Sequence, residues 1–231
     1  GSGNVSFRKV LVTLQFTISI ILIICTAVVF SQMRYMQKKA LGFDKDHIIT
    51  IPYASSLNDK YDAFRTELLN NAAIKEVGRS SRIPTGRLLD AMGARMMKGD
   101  SMAPVSADIK FVSADHDFIS AYGVKVLAGR GFSRDFSLDT GSFLINEAAV
   151  RALGFDNKED VLGKDFGYGN RKGKLIGVFN DFHFESLHQK IVPLVLLMPR
   201  NANNYNRISI KAGGENIAGV LAHIEKTWRT F

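Results

Sequence analysis

The sequence is sparing with the residues that most reactive sites need. Among 231 residues there is one cysteine, Cys25, so an intrachain disulfide is impossible and zinc ribbons and thiol catalysis are excluded. His47, His116 and His223 stand isolated along the chain. There is no GxxxxGK run followed by Ser or Thr, which excludes a P-loop, and no GxSxG elbow for a serine hydrolase. Gly129-Arg130-Gly131 lacks the strand and helix that frame a dinucleotide fingerprint. Fixed-period repeats and low-complexity stretches are also missing, so solenoids and disordered tails are not expected. The net charge is +8, yet the basic residues are interleaved with 22 acids rather than blocked together with aromatics, so no nucleic-acid partner is expected. Neither catalytic nor cofactor-binding residues are expected.

What the chain has is one long apolar run near its start. Residues 10–30, VLVTLQFTISIILIICTAVVF, carry no charge, and at 1.5 Å rise per residue they match the roughly 30 Å core of a bilayer. A cleavable signal peptide fits less well, because its apolar region is shorter and ends at a small-residue site that SQMRYMQKKA does not offer. A buried soluble helix would show a polar face, and this one does not. Gln15, Ser19 and Thr26 fall within about 40° of one another on the helix, a candidate stripe for packing against another membrane helix. The two hydroxyls could equally bond their own backbone, which leaves Gln15 as the group that asks for a partner. Arg8 and Lys9 precede the run and Arg34, Lys38 and Lys39 follow it, a count that tilts the C-terminal side toward the cytoplasm without deciding it.

Beyond the span, helical periodicity continues over 31–41 to a stop at Gly42, as a stalk would. Strands are expected at 47–51, 74–81, 94–98, 105–112, 124–128, 143–146, 174–179, 194–198 and 207–211. Helices are expected at 58–70, 115–122, 147–153 and from 217 to the end, with Gly123 and Gly154 as stops. Sixteen Phe and an apolar fraction of 46% supply packed cores. Strands and helices mix throughout, so the fold class expected is α+β, in two lobes. The basic stretch 75–98, with Arg79, Arg82, Arg87 and Arg95, reads as a solvated loop, with a surface for anionic lipid head groups as the other reading.

One segment resembles a site. In NDFHFESLH, Asp181, His183 and Glu185 alternate, so on a strand they would face one way as metal ligands or an acid/base set, with His188 closing the group. The plainer reading is a half-buried strand with Phe182 and Phe184 inward. It is preferred because no distant His or Cys completes a coordination sphere, so no metal is expected.

The segment FRKVLVTLQFTISIILIICTAVVFSQMRYMQKKALGFDKDHIITIP resembles the opening of a MacB/FtsX-type ABC transporter permease half. FVSAD at 111–115, GRGF at 129–132, INEAA at 145–149, VLGK at 161–164 and IGVFNDFHFESLHQKIVPLVL at 176–196 are similar, in the same order, to that family's periplasmic core domain. The resemblance implies a cytoplasmic flank at 1–9, a transmembrane helix at 10–30, a stalk at 31–43, a porter-like lobe at 44–112 with 190–231, and an inserted lobe at 113–189. It implies a bacterial inner-membrane protein with Arg8 and Lys9 cytoplasmic and the bulk of the chain in the periplasm. It also implies mechanotransmission: a separate cytoplasmic ATP-binding subunit hydrolyses ATP, and the stalk conveys the motion outward. A second permease half or subunit and a periplasmic protein are the further partners implied. The start at Gly1 rather than Met leads us to expect a fragment, with more spans following Phe231. Two other readings stay open: an anchored sensor or binding module on a single span, and a metal-dependent enzyme built on Asp181, His183, Glu185 and His188.

Overall fold

Uncharged from Val10 to Phe30, the N-terminal segment folds as one helix, α1 (Gly3–Lys38). The computed structural model describes residues 3–38, 48–98, 100–185, 189–213 and 216–231. Every residue from 7 to 34 is exposed, including Phe16, Ile21, Leu22 and Phe30. A helix apolar on all sides and buried against nothing has lipid, not water, as its solvent, and the stretch Phe7–Arg34 is long enough to cross a bilayer. The hydroxyls of Thr13, Thr17, Ser19 and Thr26 each donate to the carbonyl four residues back, at 2.8 to 2.9 Å. Ser19 and Thr26 are therefore satisfied within the helix, and of the expected stripe only Gln15 retains a demand for an outside partner. The helix runs on past the span to Lys38, as a stalk requires; its expected stop at Gly42 lies outside the described residues.

The described residues from 48 to 231 belong to a second compact unit built on two sheets. The smaller has the order β1 (Ile48–Pro52), β11 (Arg207–Ala212), β2 (Ile74–Ser80), all antiparallel. Helices α2 (Tyr61–Leu69) and α5 (Ile217–Thr230) cover it, and Phe64, Leu68, Val77, Ile208, Ile210 and Val220 close the core between them. The Asn216 side chain caps α5 by accepting from the Gly219 N–H, and Trp228 meets Phe64 edge-on.

The larger sheet has eight strands. Its order is β4 (Ser101–Pro104), β3 (Ala94–Lys98), β8 (Asp165–Tyr168), β9 (Arg171–Phe179), β7 (Phe143–Asn146), β10 (Leu194–Leu197), β5 (Lys110–Ser113), and β6 (Val126–Gly129) also pairs with β9. The β7–β9 and β10–β5 pairs are parallel. Strands β7 and β10 are apolar at every position but Asn146 because both faces are covered. Leu144, Leu194 and Leu196 face a core with α3 (Phe118–Ala121), Phe182 and Phe184. Phe143, Ile145, Val195 and Leu197 face another with Val150 of α4 (Glu147–Ala152), Phe166 and Tyr168. Gly123 and Gly154 end their helices as expected, with φ of 59° and 84°.

Two expectations change. Of the strand expected at 105–112 only the C-terminal end is one: β5 starts at Lys110 and joins β10 on the far edge, residues 105–109 are not strand, and the strand that turns back on β3 is β4, just before them. Burial still alternates over 105–109, so the pattern recorded which way side chains face but not that the backbone changes partner in between. Strand β8 went unread because its DFGY has only four residues and carries a glycine. Strands β3, β4, β5 and β10 belong to the larger sheet, so the chain crosses between sheets at 80–94 and 197–207.

Candidate functional site at the junction of the two sheets

The polar segment after β9 is used for packing. The strand ends at Phe179, so 180–185 is not the strand that the alternation predicted. Phe182 and Phe184 are buried, as expected for the plainer reading. Asp181 accepts from the Ala148 N–H at 2.8 Å and pairs with Arg151 at 2.6 Å, which fixes the first turn of α4. Glu185 accepts from the Leu88 N–H, away from α4. His183 borders a small crevice with Glu185 and Leu88, and His188 lies outside the described residues. Among the described residues no group of three or more His, Cys, Asp or Glu could hold a metal ion.

The charged groups that converge do so where the two sheets meet. The Ser81 N–H donates to the Ser113 carbonyl at 2.8 Å, the Asp115 N–H to the Arg79 carbonyl at 3.1 Å and the Asn206 N–H to the Ser80 carbonyl at 2.9 Å. The first two bonds tie the end of β2 to the end of β5, and the third continues the pairing of β11 with β2. On this seam the Arg79 guanidinium lies 3.9 Å from the Tyr61 ring centroid, 4.4 Å from Tyr205 and 5.6 Å from Tyr53, and donates to the Tyr53 hydroxyl at 2.9 Å. Its Nε is buried, has no hydrogen-bond acceptor among the described residues, and stands 3.8 Å from Asp115 Oδ2. Arg79 was expected in a solvated loop; three tyrosines that sequence separates by up to about 150 positions enclose it instead.

Asp115 is 2% exposed. Burial raises its pKa to about 7, with repulsion from Asp117 adding to the rise and Arg79 opposing it. The Tyr61 hydroxyl donates to Asp115 Oδ2 at 3.3 Å, and burial with Asp115 nearby holds that phenol well above its usual range. Asp117 is held by Arg65 at 2.9 Å and Arg134 at 2.8 Å, and Arg134 also reaches Asp62 at 3.1 Å. His116 is pushed down by burial and by Arg134. The result is a joint in which one buried acid sits near half-ionisation at neutral pH beside a caged cation. The FVSAD motif containing Asp115 was visible in sequence; Tyr53, Tyr61, Arg79 and Tyr205 carried no local signal.

Beside this joint a cleft of about 650 Å³ runs past Tyr53, Arg82, Thr85 and Arg207, and another of about 630 Å³ lies past Phe111, Arg171 and Arg200; both touch Ser81 and Asn206. Thr85 is a β-branched residue at φ 80°, held there by donating its N–H to the Phe184 carbonyl at 2.6 Å.

No protein-family model matches this sequence, and no curated protein matches it. Among solved structures, the periplasmic region of MacB from Actinobacillus actinomycetemcomitans is similar with a TM-score of 0.54, over 85% of this chain and 88% of that one, at 12% identity. The extracellular domain of the ABC-type transporter YknZ from Gram-positive bacteria is similar over 76% of this chain and 86% of that one, with 14% identity and a TM-score of 0.46. At such identities the likeness is one of fold, and the MacB periplasmic region carries it. The expected architecture, an apolar helix followed by a mixed α/β domain, is the one observed.

Proposed function

We propose that this chain is the extracytoplasmic domain, with its preceding membrane helix, of an ABC transporter permease subunit. The fold shared with the periplasmic region of MacB is the observation that carries the reading. The unbroken helix Gly3–Lys38 supports it, since a helix that leaves the bilayer without a break can act as a lever. In this reading Arg8 and Lys9 lie in the cytoplasm of a bacterium, the helix crosses the inner membrane, and residues 48–231 lie in the periplasm. The domain performs no chemistry of its own: a cytoplasmic ATP-binding subunit supplies the energy, and a second permease half or subunit packs against the span, with Gln15 at the contact. A periplasmic protein is the third partner. What is moved, or whether the motion is itself the output, follows from partners and not from the fold.

The test is purification of the full-length protein under native conditions, followed by ATPase assay and topology mapping. Co-purification of an ATP-binding subunit with several spans in the parent chain supports the proposal. A parent chain with this one span and no ATPase partner would sink it and favour an anchored sensor or binding module.

A further inference from the structure

The cleft beside β10 holds positive charge that the fold leaves unbalanced. Arg171, at the start of β9, is 9% exposed, and its guanidinium donates to the Met198 carbonyl at 2.5 Å and the Thr140 carbonyl at 2.6 Å. Both acceptors are neutral. Burial and then the charge of Arg200 lower the hold of Arg171 on its proton, so two guanidinium groups repel across the same cleft. Among the described residues neither arginine forms a salt bridge, and the acid in the cleft wall, Asp90, is already paired with Arg82 at 2.6 Å. A cation this buried is costly unless an anion pairs with it.

The rest of the wall narrows the kind of anion. The Asn203 side-chain oxygen is occupied by Asn58 at 2.6 Å, which leaves its NH2 to donate. The Asn206 NH2 is occupied by the Ser81 carbonyl at 3.2 Å, which leaves its oxygen to accept. A donor and an acceptor lining one cleft suit the C=O and N–H of a peptide. Phe111 and Leu197 supply an apolar wall for a side chain. A volume of about 630 Å³ is within the range of small-ligand sites.

We propose that this cleft binds a peptide through its terminal carboxylate, with the carboxylate between Arg171 and Arg200, the adjoining peptide groups on Asn203 and Asn206, and the terminal side chain against Phe111. Because Ser81 and Asn206 lie where the sheets meet, an occupant would touch both sheets at once. No ATP-binding partner is needed, so this site and the transporter reading stand or fall separately.

The experiment is calorimetric titration of the full chain in neutral detergent with N-acetyl-Ala-Ala-Phe bearing a free carboxylate, with its C-terminal amide, and with inorganic phosphate. The acid should bind with Kd below about 1 mM and the amide at least about tenfold more weakly, the loss of one charge-assisted pair. Arg200→Ala, a change at an exposed side chain, should weaken the acid by about tenfold and leave the amide unchanged. Arg171→Lys should weaken the acid as well, with unaltered circular dichroism showing that the fold persists. Equal affinity for acid and amide, absence of binding up to about 10 mM, or indifference to Arg200→Ala would overturn the proposal. Phosphate binding with the same dependence on Arg200 and no response to peptide would also overturn it, by assigning the cleft to phosphorylated compounds.

Discussion

Replacing Asp115 by Asn tests the account of the sheet junction most directly. The carboxyl is 2% exposed and its pKa is raised to about 7 by burial, with Asp117 contributing. Between about pH 4 and 7 the folded chain keeps a proton that the unfolded chain has released. Stability from this group is therefore full below the unfolded pKa and is lost as pH rises through the folded one. The rise from 3.8 to about 7, at 1.36 kcal/mol for each tenfold change in proton affinity, is on the order of 4 kcal/mol when complete. Asn keeps an oxygen for the Asp117 N–H and offers NH2 to the Tyr61 hydroxyl, which can turn to the Val77 carbonyl 3.5 Å away. Urea unfolding can be followed by the fluorescence of Trp228, the one tryptophan in the chain, packed on Phe64. Asp115→Asn should gain on the wild type by on the order of 4 kcal/mol from pH 4 to pH 8, because it cannot ionise. A difference between the two proteins that stays level across that range refutes the reasoning, as does one that favours the wild type at high pH.

Other outcomes follow from single contacts. Gly173→Ala should destabilise by about 3 kcal/mol or more in the same assay, since a Cβ there meets the Gly141 carbonyl oxygen, which belongs to backbone and cannot swing away. Thr85→Gly should stabilise by about 1 kcal/mol, the relief of a β-branched residue at φ 80° less the added freedom of the unfolded chain, read as a higher urea midpoint. Arg130→Ala should cost about 3 kcal/mol at pH 7, because it strands the 1% exposed Asp139 that Arg130 grips at 2.7 Å through two nitrogens. Although burial pushes Asp139 up, Arg130 and the Ser133 N–H hold it below the usual range, so the pair's stability is present above the unfolded carboxylate pKa and lost as pH falls; the cost of Arg130→Ala should shrink in acid. Ile20→Arg, at the centre of the span, should add about 3 kcal/mol to apparent insertion and release the chain from membranes in carbonate extraction.

The amino-acid sequence alone determined the features that depend on neighbours along the chain. The apolar run needs only its own length and composition to be able to cross a bilayer. The helix stops at Gly123 and Gly154 follow from glycine's access to positive φ, and the Phe182 and Phe184 burial follows from alternation. Motif order also pointed to the fold that the structural likeness bears out. Only the tertiary structure decided where each strand finds its partner: β4 and β5 are separated by five residues in sequence yet sit at opposite edges of a sheet, because facing is a local property and pairing is not. The same holds for the candidate sites. Arg79 is an ordinary basic residue until Tyr53, Tyr61 and Tyr205 surround it, and Arg171 becomes an unbalanced charge only when folding buries it near Arg200 without a salt bridge among the described residues. Desolvation turns these charges into sites, and desolvation is a property of the packed chain rather than of any stretch of it.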